Sequence, residues 1–145
     1  MDRIDWNLLV VSSAGGAELS PVQLQKALFI IGDAVPGVSE GDFYAFEPYN
    51  YGPFSKAIYA DVKLLAEQGL VEVSSSPERG WSCYRATPEG LEKARELSAA
   101  MDVSISTYVE KIVEWIRNLT FEQLLAYLYS HYPDYAKNSI FKARE

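Results

Sequence analysis

Residues 64–94 read LLAEQGLVEVSSSPERGWSCYRATPEGLEKA, and the punctuation of this stretch decides the fold. Gly69 stands where an apolar helical stripe stops, and glycine ends helices because it adopts the left-handed conformation without a steric penalty. Residues 70–74 are a short β-rich run, residues 75–80 are turn-like, and residues 81–86 form a second strand, so the spacing predicts a hairpin. Thr87-Pro88 restarts a helix that runs to about Ala100. Thr serves as N-cap, and Pro takes the first helical position, where its missing N–H is not needed.

Working outward, Asp2 caps a helix over residues 3–13 with Ile4, Leu8 and Val11 on one face, ended by Gly15-Gly16. Ser20-Pro21-Val22-Gln23 has the form of a capping box and opens a helix through Leu24, Leu28 and Ile31 that stops before Pro36-Gly37. Ser55 is read as the cap of a third helix to about Gln68, with Ile58, Val62 and Leu65 stacked on one side. Beyond residue 100, residues 103–118 carry Ile105, Val109, Ile112 and Ile116 at helical spacing. Thr120 opens a further helix through Leu124, Leu125 and Leu128 towards His131, and Pro133 interrupts it. Residues 137–145 read as a short terminal helix or a frayed tail.

The order helix, helix, long loop, helix, hairpin, helix predicts a mainly α chain with a small β-hairpin, in the α+β class. We expect a winged-helix-like domain over residues 1–100, with a C-terminal helical extension over residues 101–145 packed on it as one compact unit. The Ile105 to Ile116 stripe has two readings: it closes the domain core, or it pairs with a second copy in a homodimer.

Residues 35–54 read VPGVSEGDFYAFEPYNYGPF, with Phe43, Tyr44, Phe46, Tyr49, Tyr51 and Phe54 inside twelve positions. A connection this long without regular structure is uncommon in a small domain and tends to be functional. Either the rings pin the loop to the core, or they line a groove for a partner.

Composition narrows the function. The chain has 145 residues, 48% of them hydrophobic, enough for one core without a staple. Its net charge is −7, and residues 1–100, with 8 basic and 14 acidic side chains, hold −6 of it. That weighs against a constitutive high-affinity DNA binder, because such binding depends on neutralising phosphates. With one Cys and one His, no intramolecular disulfide and no ordinary Cys/His zinc site can form. The acidic N-terminal MDRIDWNLLVV lacks signal-peptide character, and no apolar run approaches a membrane span, so a cytoplasmic protein is expected. No P-loop, G-x-G-x-x-G or G-x-S-x-G occurs. His131 reads as a surface histidine, Cys83 as a small core residue, and Glu40 and Asp42 as solvated loop charges. We therefore expect no enzyme, no catalytic residue, no cofactor and no metal.

Two resemblances follow from these residues. LLAEQGLVEV, a polar turn and YRATPEGLEKA together resemble the helix–wing–helix passage of bacterial winged-helix regulators. That likeness implies a DNA face of Ser55, Lys56 and Lys63 on the third helix with Arg79 and Arg85 on the hairpin, and dimerisation through the helices after the wing. About twenty residues separate the second and third helices here, where a simple helix-turn-helix has a short turn. The second resemblance rests on VQLQKALFII, FYAFEPYNYGPFSKAIYADVKLLAEQGLV and the later LLAYLYSHYPDYAKNS. With Leu24-Gln25-Lys26, Tyr51-Gly52-Pro53 and Tyr59 in this order, the chain resembles the Panacea or SocA-like antitoxin-associated domain, mainly over residues 21–73. It implies a non-enzymatic, antitoxin- or adaptor-like role exercised on a protein partner, a toxin or other cognate factor. The candidate partner-binding residues are Phe43, Phe46, Tyr49, Tyr51, Phe54 and Tyr59.

Overall fold

A computed structural model describes residues 1–140 of the chain. It is mainly α with small antiparallel hairpins: α1 (Arg3–Ser12), α2 (Pro21–Ala34), β1 (Glu47–Tyr49), β2 (Gly52–Phe54), α3 (Ala57–Glu67), β3 (Val71–Ser75), β4 (Ser82–Ala86), α4 (Pro88–Ala99), α5 (Val103–Arg117) and α6 (Phe121–His131). A 3-10 turn, Pro133–Tyr135, follows α6. The reading of residues 137–145 as a terminal helix or tail lies, for residues 141–145, outside the described residues. Among the described residues no helix is long and apolar enough to cross a membrane.

The capping chemistry is local. Asp2, Ser20 and Thr120 each close a reciprocal capping box, with Asp5, Gln23 and Gln123 returning the bond. At the end of α3, Gly69 has φ +76°, the Gly69 N–H donates to the Ala66 carbonyl and the Leu70 N–H to that of Leu65. This pair of bonds satisfies the last carbonyls of the helix and turns the chain into β3.

The hairpin β3–β4 pairs Val71 with Ala86 through to Ser75 with Ser82. Leu19, just before α2, joins it through an isolated antiparallel bridge: its N–H donates to the Tyr84 carbonyl at 2.8 Å and its carbonyl accepts from the Tyr84 N–H at 2.9 Å. The wing is thereby fixed to the α1–α2 connection, which makes the first four helices and the hairpin a winged-helix-like unit. Gly90 explains the Thr-Pro-Glu-Gly wording. A Cβ there would overlap the Leu70 carbonyl oxygen, the same oxygen that accepts the Thr87 N–H.

Leu8, Leu28, Ile31, Ile58 and Leu65 are fully buried between α1, α2 and α3. The α5 stripe closes this core from the C-terminal side. Val109, Val113 and Ile116 are at most 1% exposed, α5 lies against α2, and Ile105 and Ile112 pack at its margin. Of the stripe, Val109 and Ile116 are covered within the chain, whereas Ile105 and Ile112 are half-buried.

Two local readings change. Ser55 does not cap α3; the N-cap is Lys56, with no side-chain bond to the helix, because the Ser55 backbone is held elsewhere. Nor is the connection over residues 35–54 wholly irregular, since β1 and β2 pair Glu47 with Phe54, Pro48 with Pro53 and Tyr49 with Gly52. Gly52, at φ +90°, permits that tight turn.

Candidate functional site

The aromatic connection divides into two halves. Phe43, Tyr44 and Phe46 face inward. Phe43 meets Trp6 edge-on, Tyr44 is buried, and Phe46 meets Phe29, whose ring also touches Tyr132 and Tyr135. The Tyr44 hydroxyl donates to Asp61 at 2.7 Å and accepts from the Asn7 amide, and Asp61 pairs with Arg3 at 2.9 Å. Burial and the adjacent carboxylate hold the Tyr44 phenol above its ordinary pKa. Phe43 and Phe46 are half-buried, like Phe54 and Tyr59, and pack against Trp6 and Phe29. The outer half differs: Tyr49 and Tyr51 are exposed, and Phe54 and Tyr59 are half-buried behind them, with Phe54 touching both Tyr49 and Tyr59.

This outer hairpin is clamped by α2. The Gln25 side chain, 1% exposed, accepts from the Ser55 N–H at 2.9 Å and donates to the Ser55 carbonyl at 2.8 Å. Beside it the Lys26 ammonium donates to the Pro53 carbonyl at 2.7 Å. Leu24-Gln25-Lys26 and Tyr51-Gly52-Pro53, twenty-odd residues apart in the chain, therefore meet in space.

Lys26 is only 2% exposed, and among the described residues no carboxylate lies within ion-pair reach of it. Loss of hydration lowers its pKa from the usual value near 10.5 to about 7. The unfolded chain then holds more protons than the folded one between about pH 7 and 10, so the folded state gains stability as pH rises through that window. We expect unfolding free energy to climb by about 1 kcal/mol per pH unit between pH 7 and 9. Urea titrations of Lys26→Met should lack this slope. An identical slope in wild type and variant would show that Lys26 is not the group responsible.

Two adjoining cavities open here. The larger, about 550 Å³, is an apolar groove with Pro21, Val22, Tyr51, Trp81, Leu119 and Phe121 in its wall. The Tyr51 and Phe121 rings meet edge-on at 5.3 Å. The smaller, about 170 Å³, is walled by Gln25, Lys26, Tyr49, Asn50, Phe54 and Tyr59, and shares Val22 and Tyr51 with the groove. Trp81 and Phe121, 54% and 42% exposed, were not singled out in the sequence as partner contacts. Their signal was a large ring off the apolar stripe of its own element: Phe121 precedes the buried Leu124, Leu125 and Leu128, and Trp81 sits in a polar turn.

The candidate DNA face is not brought together as a set. Lys56 and Lys63 are exposed on α3. Ser55 is buried and engaged with Gln25, out of reach of a duplex. Arg79 braces the wing turn by donating to the Ser74 and Trp81 carbonyls, and Arg85 pairs with Glu72 at 2.8 Å. Gln25 and Lys26 are likewise interior.

Cys83 is buried, and loss of hydration raises its thiol pKa, which disfavours the reactive thiolate. The His131 ring is exposed, stacked on Tyr127 with Nδ1 against the Tyr127 carbonyl. Glu40 and Asp42 are exposed, and Asp42 accepts the Arg3 N–H. Among the described residues no group of three His, Cys, Asp or Glu side chains could hold a metal ion. Neither a protein-family model nor a curated protein sequence matches the chain.

Proposed function

We propose that this chain is a non-enzymatic protein-interaction module of antitoxin or adaptor type, acting in the cytoplasm on a toxin or other cognate protein. One observation carries this reading. Three rings from separate parts of the fold, Tyr51 at 41%, Trp81 at 54% and Phe121 at 42% exposed, surround one apolar concavity. Isolated exposed rings are ordinary, but several around a single apolar groove are what interface centres are made of. The Panacea or SocA-like resemblance points the same way, as its motif residues hold the hairpin that forms one wall of the groove.

The test is partner capture by a Tyr49→Ala, Tyr51→Ala double variant. Because aromatic anchors at an interface centre are each worth roughly 2 kcal/mol or more, affinity should fall at least a hundredfold. The melting temperature should move by only a few degrees, since both rings are exposed. A large loss of stability with unchanged capture would instead mark the rings as structural.

A second reading, a winged-helix DNA-binding transcription regulator, is favoured by one feature. Asp61, which would offset the lysines of α3, is turned inward onto Arg3 and Tyr44, leaving Lys56 and Lys63 exposed. Lys56→Glu with Lys63→Glu should then weaken binding to any duplex at least tenfold and reduce its salt dependence. Duplex binding indifferent to both reversals would remove this reading.

A further inference from the structure

We propose that the small pocket accepts an Asp or Glu carboxylate from the partner's docking segment, while a neighbouring bulky apolar residue of that segment fills the groove. This rests on the docking reading above and adds the chemistry of the partner.

Charge decides the occupant. Among the described residues, Lys26 is the only charged one in the wall of either cavity. Buried cations are ordinarily paired with an acid, because taking an ammonium out of water is costly without one. Among the described residues its three N–H donors have one partner, the Pro53 carbonyl. Gln25, beside it in the wall, is engaged with the Ser55 backbone and with Tyr59. A carboxylate in the pocket would supply the missing counter-charge and take up further donor capacity. The rings of Tyr49, Phe54 and Tyr59 in the wall would shield that contact once the partner covers the pocket, which strengthens it. Because the two cavities share Val22 and Tyr51, the acid and its apolar neighbour would sit within about four residues of one another on an extended segment.

The contact has a proton signature. With Lys26 near pKa 7 in the unbound protein, an incoming carboxylate favours the charged ammonium and draws a proton in with it. Affinity is then flat below pH 7 and falls about tenfold per pH unit above it, until the pKa of the complex is reached. Among the described residues the other titratable groups facing the pocket are phenols: Tyr49, Tyr51 and Tyr59 in its wall, and Tyr129, whose ring lies against Gly52. Tyr59 is pushed up to about 12 by burial, and Tyr129 is also raised by burial, so neither changes charge in this window.

The experiment is selection of a phage-displayed library of random twelve-residue peptides on the full chain at pH 6.5, followed by affinity measurement on the best synthetic peptide. Enriched peptides should carry Asp or Glu within about four residues of a Trp, Phe or Leu. Changing that acid to its amide in the peptide should cost tenfold or more, as should Lys26→Met in the protein, with folding of the variant checked by circular dichroism. The wild-type affinity alone should fall above pH 7. Peptides without an acid, sensitive to Tyr51→Ala but not to Lys26→Met, would overturn the carboxylate assignment and leave the docking groove standing. Acidic peptides whose binding ignores Lys26 would overturn it equally. If no peptide is enriched, or none depends on Tyr51 or Trp81, the docking reading itself falls.

Discussion

Gln25→Ala is expected to lower the unfolding free energy by about 3–5 kcal/mol, among the largest effects of any single polar substitution in this chain. The side chain satisfies two buried backbone groups of Ser55 at once, one as donor and one as acceptor. Removing it orphans the Ser55 N–H, leaves the Ser55 carbonyl only the longer 3.3 Å bond from the Ile58 N–H, at roughly 1–3 kcal/mol for each loss, and opens a void beside Tyr59, which also shares a hydrogen bond with Gln25. Water entering the void could recover part of this, so the range extends downward to about 3. The thermal midpoint should drop by roughly 10 °C for a domain of this size. The loss should also be visible locally: amide exchange over residues 47–55 should quicken more than over α1 or α5. Gln25→Glu is a sharper control, since it keeps the acceptor for the Ser55 N–H but sets a carboxylate oxygen against the Ser55 carbonyl. It should destabilise as much as Ala. A loss below about 1 kcal/mol for either variant would mean that the hairpin is not held by this clamp.

Gly90→Ala should cost about 3 kcal/mol, and its sign is as informative as its size. Within an ordinary helix the change would add about 0.5–1 kcal/mol of stability, since alanine is the better helix former. Here the new Cβ would overlap the Leu70 carbonyl oxygen. That oxygen cannot retreat cheaply, because it accepts the Thr87 N–H at 3.1 Å, and Thr87 also donates from its hydroxyl to the Gly69 carbonyl at 2.7 Å. The start of α4 and the end of α3 are bolted together at this point, so the overlap must push the wing away from α4. Chemical denaturation read by tryptophan fluorescence would report it directly, as Trp81 lies at the wing. A stabilised Gly90→Ala variant would show that the two helices do not approach this closely.

These two substitutions also divide what was legible in the sequence from what was not. Thr87-Pro88 and Gly69 announced the wing's borders from neighbouring residues alone, and α1, α2, α4, α5 and α6 formed close to the expected bounds. Their caps depend on groups within about four residues, which sequence displays directly. Ser55 failed as a cap for the opposite reason. By local chemistry it is a good N-cap, but Gln25, thirty residues earlier, takes hold of its backbone. The hairpin β1–β2 was hidden in the same way, since two three-residue strands around Gly52 carry too little pattern to separate from a loop. Of the aromatic run, Tyr44 is buried, Tyr49 and Tyr51 are exposed, and Phe43, Phe46 and Phe54 lie half-buried between those extremes, an ordering that the run of rings does not itself display.

Taken alone, the sequence determined the helices, their caps other than that of α3, and the wing, because each of these is written in residues close together in the chain. Tertiary structure alone decided which side chains share a site. Nothing local to Lys26 says that it ends under Pro53 without a carboxylate beside it, and nothing local to Trp81 or Phe121 says that they face Tyr51 across one groove. Those meetings are set by the packing of α2 and α6 against β2 and of α5 against α2, contacts whose partners lie tens of residues apart and whose geometry exists only once the core has closed.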